Sequence, residues 1–217
     1  MRTIALRALF FDFDGVLVES TAIKNRAFRE LYAPYGADVL DQVLAHHAAH
    51  EGISRVDKIR HCHREYLGQT LGDAELAELS GCYSTLVEAA VVECPPVAGS
   101  LEFLEAVNGR LPVFVVSGTP EDELRRIVEA RRIGHLLTEV YGSPTKKDVI
   151  VRAVLAAQGL VAAEAVFIGD AMTDYRAAEA TGTPFIGRLI DGARDPFPEG
   201  TQTLPDLCGL AALLGIR

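Results

Sequence analysis

A chain of 217 residues, 49% of them apolar and with no apolar run long enough to span a bilayer, suits one medium domain or a core domain with a modest insertion. Its formal net charge of −9 offers a nucleic acid or an anionic membrane no electrostatic attraction. The four cysteines (Cys62, Cys82, Cys94, Cys208) are scattered, with no C-x-x-C pair, and Asp12 and Asp14 interrupt the apolar N-terminus, so the expectation is a cytoplasmic protein with reduced thiols, without a disulfide framework, zinc site or secretory signal.

The first predicted element is a strand over the apolar run Ala5–Phe11, which stops abruptly at Asp12 and Asp14, one residue apart, with Gly15 next. A strand ending this way sets both carboxylates at the carboxyl edge of a sheet, where open α/β sheets bind ligands. Two such charges about 4 Å apart repel by about 4 kcal/mol at an effective dielectric of about 20. A bound cation, or a proton held on one of the two, must therefore accompany the pair.

From about residue 20 to 93 no strong strand candidate occurs, and apolar residues recur at helical spacing, as in Leu76, Leu79, Tyr83, Leu86 and Val87. Asp73 is the expected N-cap of that helix, with Glu75 in its first turn. The stretch reads as a helical insertion that returns through Cys94-Pro95-Pro96 and Gly99, after which Ser100 is expected to cap the next helix. Within the insertion, Gly52 permits a turn and Ser54 caps a helix carrying Arg55, with Lys58 one turn further on. Five histidines (His46, His47, His50, His61, His63) cluster in the same segment. His46 and His50 have the i, i+4 spacing of metal ligands, but no acid or cysteine completes a set, so polar contacts to a ligand or a solvated face are expected, with His47 foremost. Lys24, on the first helix, is a further candidate to reach the pocket.

Beyond the insertion, predicted strands at Pro112–Val116, Ala165–Ile168 and Pro184–Ile186 alternate with predicted helices at Glu121–Ala130, Lys147–Gln158 and Asp174–Thr181. That alternation implies a parallel sheet covered on both faces, with Gly159, Gly182 and Gly187 marking element ends. Three clusters fall at its strand ends. In Ser117-Gly118-Thr119-Pro120, Thr119 is the expected N-cap and Pro120 the first helical residue, leaving Ser117 and the Gly118 amide to donate to an anion. The loop Gly142–Lys147 ends in two lysines at a helix start, where the dipole disfavours cations, so one of them is expected to neutralise the aspartates and a substrate phosphate. Gly169-Asp170 ends a further strand, and Asp174 follows four residues on. Asp12, Asp14 and Asp170 together suit a hard cation taking oxygen ligands, and magnesium, which pairs naturally with phosphate, fits best.

In this order, D-x-D-G at 12–15, S-G-T at 117–119, the lysine at 146–147 and G-D-x-x-x-D at 169–174 resemble the haloacid dehalogenase-like superfamily of phosphotransferases, across nearly the whole chain. The resemblance implies a Rossmann-like core of residues 1–19 and 95–217 and a helical C1-type cap over residues 20–94. It implies Asp12 as the nucleophile that forms an aspartyl-phosphate and Asp14 as general acid and base. Magnesium would be held by the Asp12 side chain, the Asp14 backbone carbonyl and Asp170, with Asp174 orienting the lysine or metal-bound water. Ser117 and Gly118 would hold phosphate oxygens. Lys147 gives the loop the spacing G-S-P-x-x-K and is preferred to Lys146. The G-x-S-R segment at 52–55 is similar to one in members like β-phosphoglucomutase whose arginine meets the substrate, making Arg55 the expected specificity residue. Haloacid dehalogenases proper lack an acid at the position of Asp14, so dehalogenation is not expected. The function implied is magnesium-dependent hydrolysis of a small phosphorylated metabolite, a sugar phosphate or a phosphoglycolate-like compound. A sugar phosphomutase using the same intermediate and a non-catalytic binder of such a metabolite are the alternatives.

Overall fold

The strand that carries the paired aspartates, β1 (Ala8–Phe11), is buried on both faces, which is why its sequence is a continuous apolar run instead of an alternation. The computed structural model describes residues 6–190 and 192–216; the expected start of this strand at Ala5 lies outside the described residues. β1 is central in a parallel sheet of order β3-β2-β1-β4-β5-β6, with β2 (Val113–Pro120), β3 (Glu139–Ser143), β4 (Ala165–Gly169), β5 (Phe185–Arg188) and β6 (Thr203–Leu204). Phe11 registers with Val115 on one side and Ile168 on the other, so the residues that follow these positions emerge at one edge. The chain builds outward from β1 to β3 and then returns to place β4 on the far side of β1. The topological switch point, where such sheets bind ligands, therefore lies between the strands ending at Asp12 and Asp170.

Between β1 and β2 lies the helical insertion: α1 (Thr21–Tyr32), α2 (Ala37–Ala49), α3 (Arg55–Tyr66) and α4 (Asp73–Glu93), followed by α5 (Ser100–Val107). The remaining helices are α6 (Glu121–Ala130), α7 (Lys147–Gln158), α8 (Met172–Thr181) and α9 (Leu210–Leu213). Leu9, Phe11 and Val115 pack with α5 and α6 on one face of the sheet, and Phe10, Phe114 and Phe167 with α7 and α8 on the other. The architecture is α/β with helices on both faces and a helical cap after the first strand.

Several expected helix starts move by a residue, two of them because the side chain is engaged elsewhere. Asp73 is the first residue of α4, and the cap is the Gly72 N–H donating to the Glu75 carboxylate at 2.9 Å. Ser100 opens α5 behind Gly99, and its hydroxyl donates to the Leu17 carbonyl at 3.0 Å, tying the loop after β1 to the core. Pro120, not Thr119, caps α6, because the Thr119 hydroxyl donates to Asp14. Gly187 lies inside β5, beneath Phe197, and does not end an element. On α4, Leu76, Tyr83 and Val87 are buried while Leu86 faces solvent. β3 and β6 had no counterpart among the expected strands. β3 contains a glutamate, a glycine and a serine, and β6 is two residues long, so neither carries a hydrophobic run.

Candidate active site

The Asp12 N–H donates to the Ile168 carbonyl at 2.9 Å, which fixes the carboxylate between β1 and β4. The loop then turns at Gly15, whose φ is +74° and whose missing side chain leaves room for Asp170. A Cβ there would sit 1.9 Å from Asp170 Oδ2, so only glycine meets both demands. Asp12 Oδ1 accepts the Phe13 N–H at 2.7 Å, and Oδ2 lies 2.9 Å from Lys147 Nζ. Lys147 also donates to Asp174 Oδ1 at 2.6 Å, while Asp174 Oδ2 accepts the Ala171 N–H at 3.1 Å. Lys147, at the start of α7, is buried in this cluster, whereas Lys146 is exposed.

Asp12, Asp170 and Asp174 each offer an oxygen within 4.8 Å of the others. Both Asp174 oxygens are engaged, but no described residue donates a hydrogen bond to the Asp170 side chain. Burial, against the pull of Lys147 and helped by Asp174 and Asp14, lifts the Asp12 carboxyl to about 7. Burial and the neighbouring Asp12 and Asp174 charges hold Asp170 well above the usual carboxylate range. Crowded carboxylates disfavoured as anions, with no nitrogen or sulfur donor among them, fit a hard, oxygen-seeking cation, whose charge relieves that penalty.

Asp14 lies in a contrasting environment. Its Oδ1 accepts from Ser20 at 2.7 Å; its Oδ2 accepts from Thr119 at 2.9 Å and Ser117 at 3.3 Å and pairs with Lys24 Nζ at 2.5 Å. Burial alone would raise this carboxyl, but Lys24 and the Ser20 and Thr119 hydroxyls outweigh it, and Asp14 titrates below the ordinary value. Two carboxylates two residues apart are thus pushed in opposite directions, a recurrent sign of divided roles. Ser117 and Gly118 line the same cavity beside Asp12. At Gly118 the insertion closes on the core, where a Cβ would sit 2.5 Å from the Gly52 carbonyl oxygen.

The insertion supplies the cavity's other wall, including Lys24, Phe28, His47, Arg55, Lys58 and Tyr83. Ser54 caps α3, accepting from the Asp57 N–H at 3.3 Å. Arg55 lines the cavity with a partner the sequence did not announce: its guanidinium forms a two-point ion pair with Glu123 of α6, and Ser84 of α4 donates to the same carboxylate at 2.6 Å. Glu123 reads locally as one of three acids at a helix N-terminus, a placement that the dipole favours by itself, which hides its distant role. His46 stacks between His50 and His61, at centroid separations of 4.1 and 3.9 Å, and does not line the cavity. With Arg55 and Glu123 both buried, Arg55→Ala should destabilise the fold by about 3–5 kcal/mol by stranding a buried carboxylate. Urea unfolding measures this; an unchanged midpoint would contradict the role of the pair as a tie between insertion and core.

Comparison with known proteins places this geometry. CbbY from Rhodobacter sphaeroides, solved in complex with phosphate, superposes with a TM-score of 0.74 at 18% identity, covering 94% of this chain and 96% of that one. A hydrolase from Bacillus subtilis, YfnB, solved bound to magnesium, superposes with a TM-score of 0.71 at 16% identity, covering 98% of this chain and all (100%) of that one. These likenesses show the fold. In sequence, the phosphoglycolate phosphatase of Rhodospirillum rubrum is 27% identical over 203 residues, 88% of this chain and 82% of its own. Residues 9–188, which include every strand-end cluster described above, match the haloacid dehalogenase-like hydrolases, and the chain belongs to that family.

Proposed function

We propose that this hydrolase is a magnesium-dependent phosphatase of small phosphorylated metabolites, sugar phosphates or phosphoglycolate-like compounds, acting through a phosphorylated Asp12. The observation that carries the reading is the opposed pair. Asp12 is fixed by Lys147 and the Phe13 amide, while Asp14, two residues on, is held ionised by Lys24, and both border one cavity. Asp12 attacks phosphorus, and the bond to the leaving oxygen breaks. Asp14, an anion in the free site, takes up a proton from the incoming phosphate monoanion and gives it to that oxygen, and in the second step it takes one from the water that splits the aspartyl-phosphate. Its lowered titration in the free site suits the second role. Ser117 and the Gly118 amide steady the phosphate oxygens, and Lys147 offsets the charge gathered between Asp12 and the phosphate. Magnesium, for which Asp12, Asp170 and the Asp14 carbonyl are the proposed ligands, would supply further charge neutralisation at the phosphate.

Residues 20–94 are proposed as a cap that closes over residues 1–19 and 95–217, excluding water while Asp12 is phosphorylated. Arg55 is proposed to face the remote part of the substrate, consistent with its place in the cavity wall. Phosphate release from a panel of sugar phosphates, phosphoglycolate and nucleotides, with and without magnesium, tests the reading. Release that needs magnesium is expected on at least one small member. Silence across the panel in the presence of magnesium would contradict it, and phosphoryl return to the sugar without free phosphate would indicate a mutase.

A further inference from the structure

The cap end of the cavity holds one cation that the proposed chemistry leaves unused. Arg55 has Glu123 as its counter-ion and Lys24 has Asp14. Lys58, one turn beyond Arg55 on α3, is 3% exposed, lines the cavity and forms no ion pair with any described carboxylate. Its Nζ lies 2.9 Å from His47 Nδ1 of α2 and 5.7 Å from the centre of the Phe28 ring of α1. His47 is itself buried, and burial with the adjacent Lys58 and Lys24 charges drives its pKa down to about 3, so it accepts from Lys58 as a neutral ring. Burial and repulsion from Lys24 bring Lys58 down to about 7, although Glu51, Cys62 and Asp14 pull the other way. A buried ammonium without a counter-ion is costly to keep, and a ligand anion meeting it removes that cost.

We propose that Lys58, positioned by His47, selects substrates that carry a second anionic group at the end remote from the phosphate. The proposal rests on the phosphatase reading above and narrows its substrate class. The second anion can be a carboxylate or another phosphate, either of which meets a buried ammonium with a charge-assisted hydrogen bond.

Calorimetric binding, which needs no turnover, separates the two readings. The probes are phosphonopropionate, the methylene analogue of phosphoglycolate, and propylphosphonate, which has a methyl group where the first has its carboxylate. The wild type is expected to bind phosphonopropionate at least about tenfold more tightly, the worth of a charge-assisted contact. Lys58→Met keeps the length and apolar packing of the side chain, and should lose that margin while binding propylphosphonate as before. Lys58→Gln serves the same purpose should the methionine variant not fold. In turnover, the loss should appear in KM for phosphoglycolate, with ethyl phosphate unaffected. Propanediol bisphosphate in the same binding assay distinguishes the sources: a margin there as well admits phosphate, and its absence restricts the second anion to carboxylate, each in keeping with the proposal. Equal affinity of the wild type for both phosphonates, or a margin that survives in both Lys58 variants, would overturn it. A retained binding margin with no turnover of any phosphomonoester would instead overturn the phosphatase reading alone.

Discussion

Asp12→Asn should end phosphate release, lowering kcat by a factor on the order of 10⁴ or more, because the amide keeps the shape of the carboxylate and removes its nucleophilic anion. The same variant should fold at least as well as the wild type. The Asp12 carboxyl titrates at about 7 in the fold against an ordinary 3.8. Below 3.8 it is protonated in both folded and unfolded chains. Between those values the folded chain binds more protons than the unfolded one, so stability falls as pH rises, and above about 7 the ionised group weighs against the fold in full. Asparagine carries no such penalty, and Lys147 keeps Asp174 as a partner. Without a divalent cation at pH 8, thermal unfolding of Asp12→Asn should therefore show a midpoint equal to or above that of the wild type. Retained turnover would refute the mechanism, and a large fall in midpoint would show that Asp12 is structural.

The second large effect belongs to Lys147. Its ammonium is the one cation in direct contact with both Asp12 and Asp174 among the described residues, and those contacts outweigh burial to hold its pKa above the ordinary value. Lys147→Met strands buried carboxylates and should destabilise the fold by about 3–5 kcal/mol. It should also lower kcat by on the order of 10³-fold, the scale expected when a preorganised charge at the phosphate is lost. Urea unfolding and phosphate release read the two effects separately. Lys147→Met combined with Asp174→Asn should recover much of the stability and none of the activity. A single variant with normal stability and turnover would remove Lys147 from the site.

The sheet was legible because the apolar runs of β1, β2, β4 and β5 lie between helices on both faces, and in β1, β2 and β4 the run gives way to aspartate, serine and glycine where the site begins. The strand-end carboxylates stood out for the same reason: charges interrupting a buried run have few structural explanations. Thr119 and Ser100 were misassigned because a hydroxyl before a helix satisfies local capping rules, while here both donate to the loop that carries Asp14 and Leu17. The pairings of Arg55 with Glu123 and of Lys58 with His47 join residues 68 and 11 positions apart, and no periodicity reports such meetings. Lys58 read as a weaker candidate than Arg55, one turn further on, and its burial without a counter-ion among the described residues is what brings it forward.

The central claim is that Asp12 itself carries the phosphoryl group. An enzyme mixed with a small phosphomonoester and magnesium, quenched during turnover and treated with borohydride, would have any acyl phosphate reduced to an alcohol. Peptide mass spectrometry should then find homoserine at position 12, dependent on substrate and absent from Asp12→Asn. Phosphate released with residue 12 still aspartate under conditions that trap a control acyl phosphate, or the reduced residue found at Asp14 or Asp170, would contradict the account.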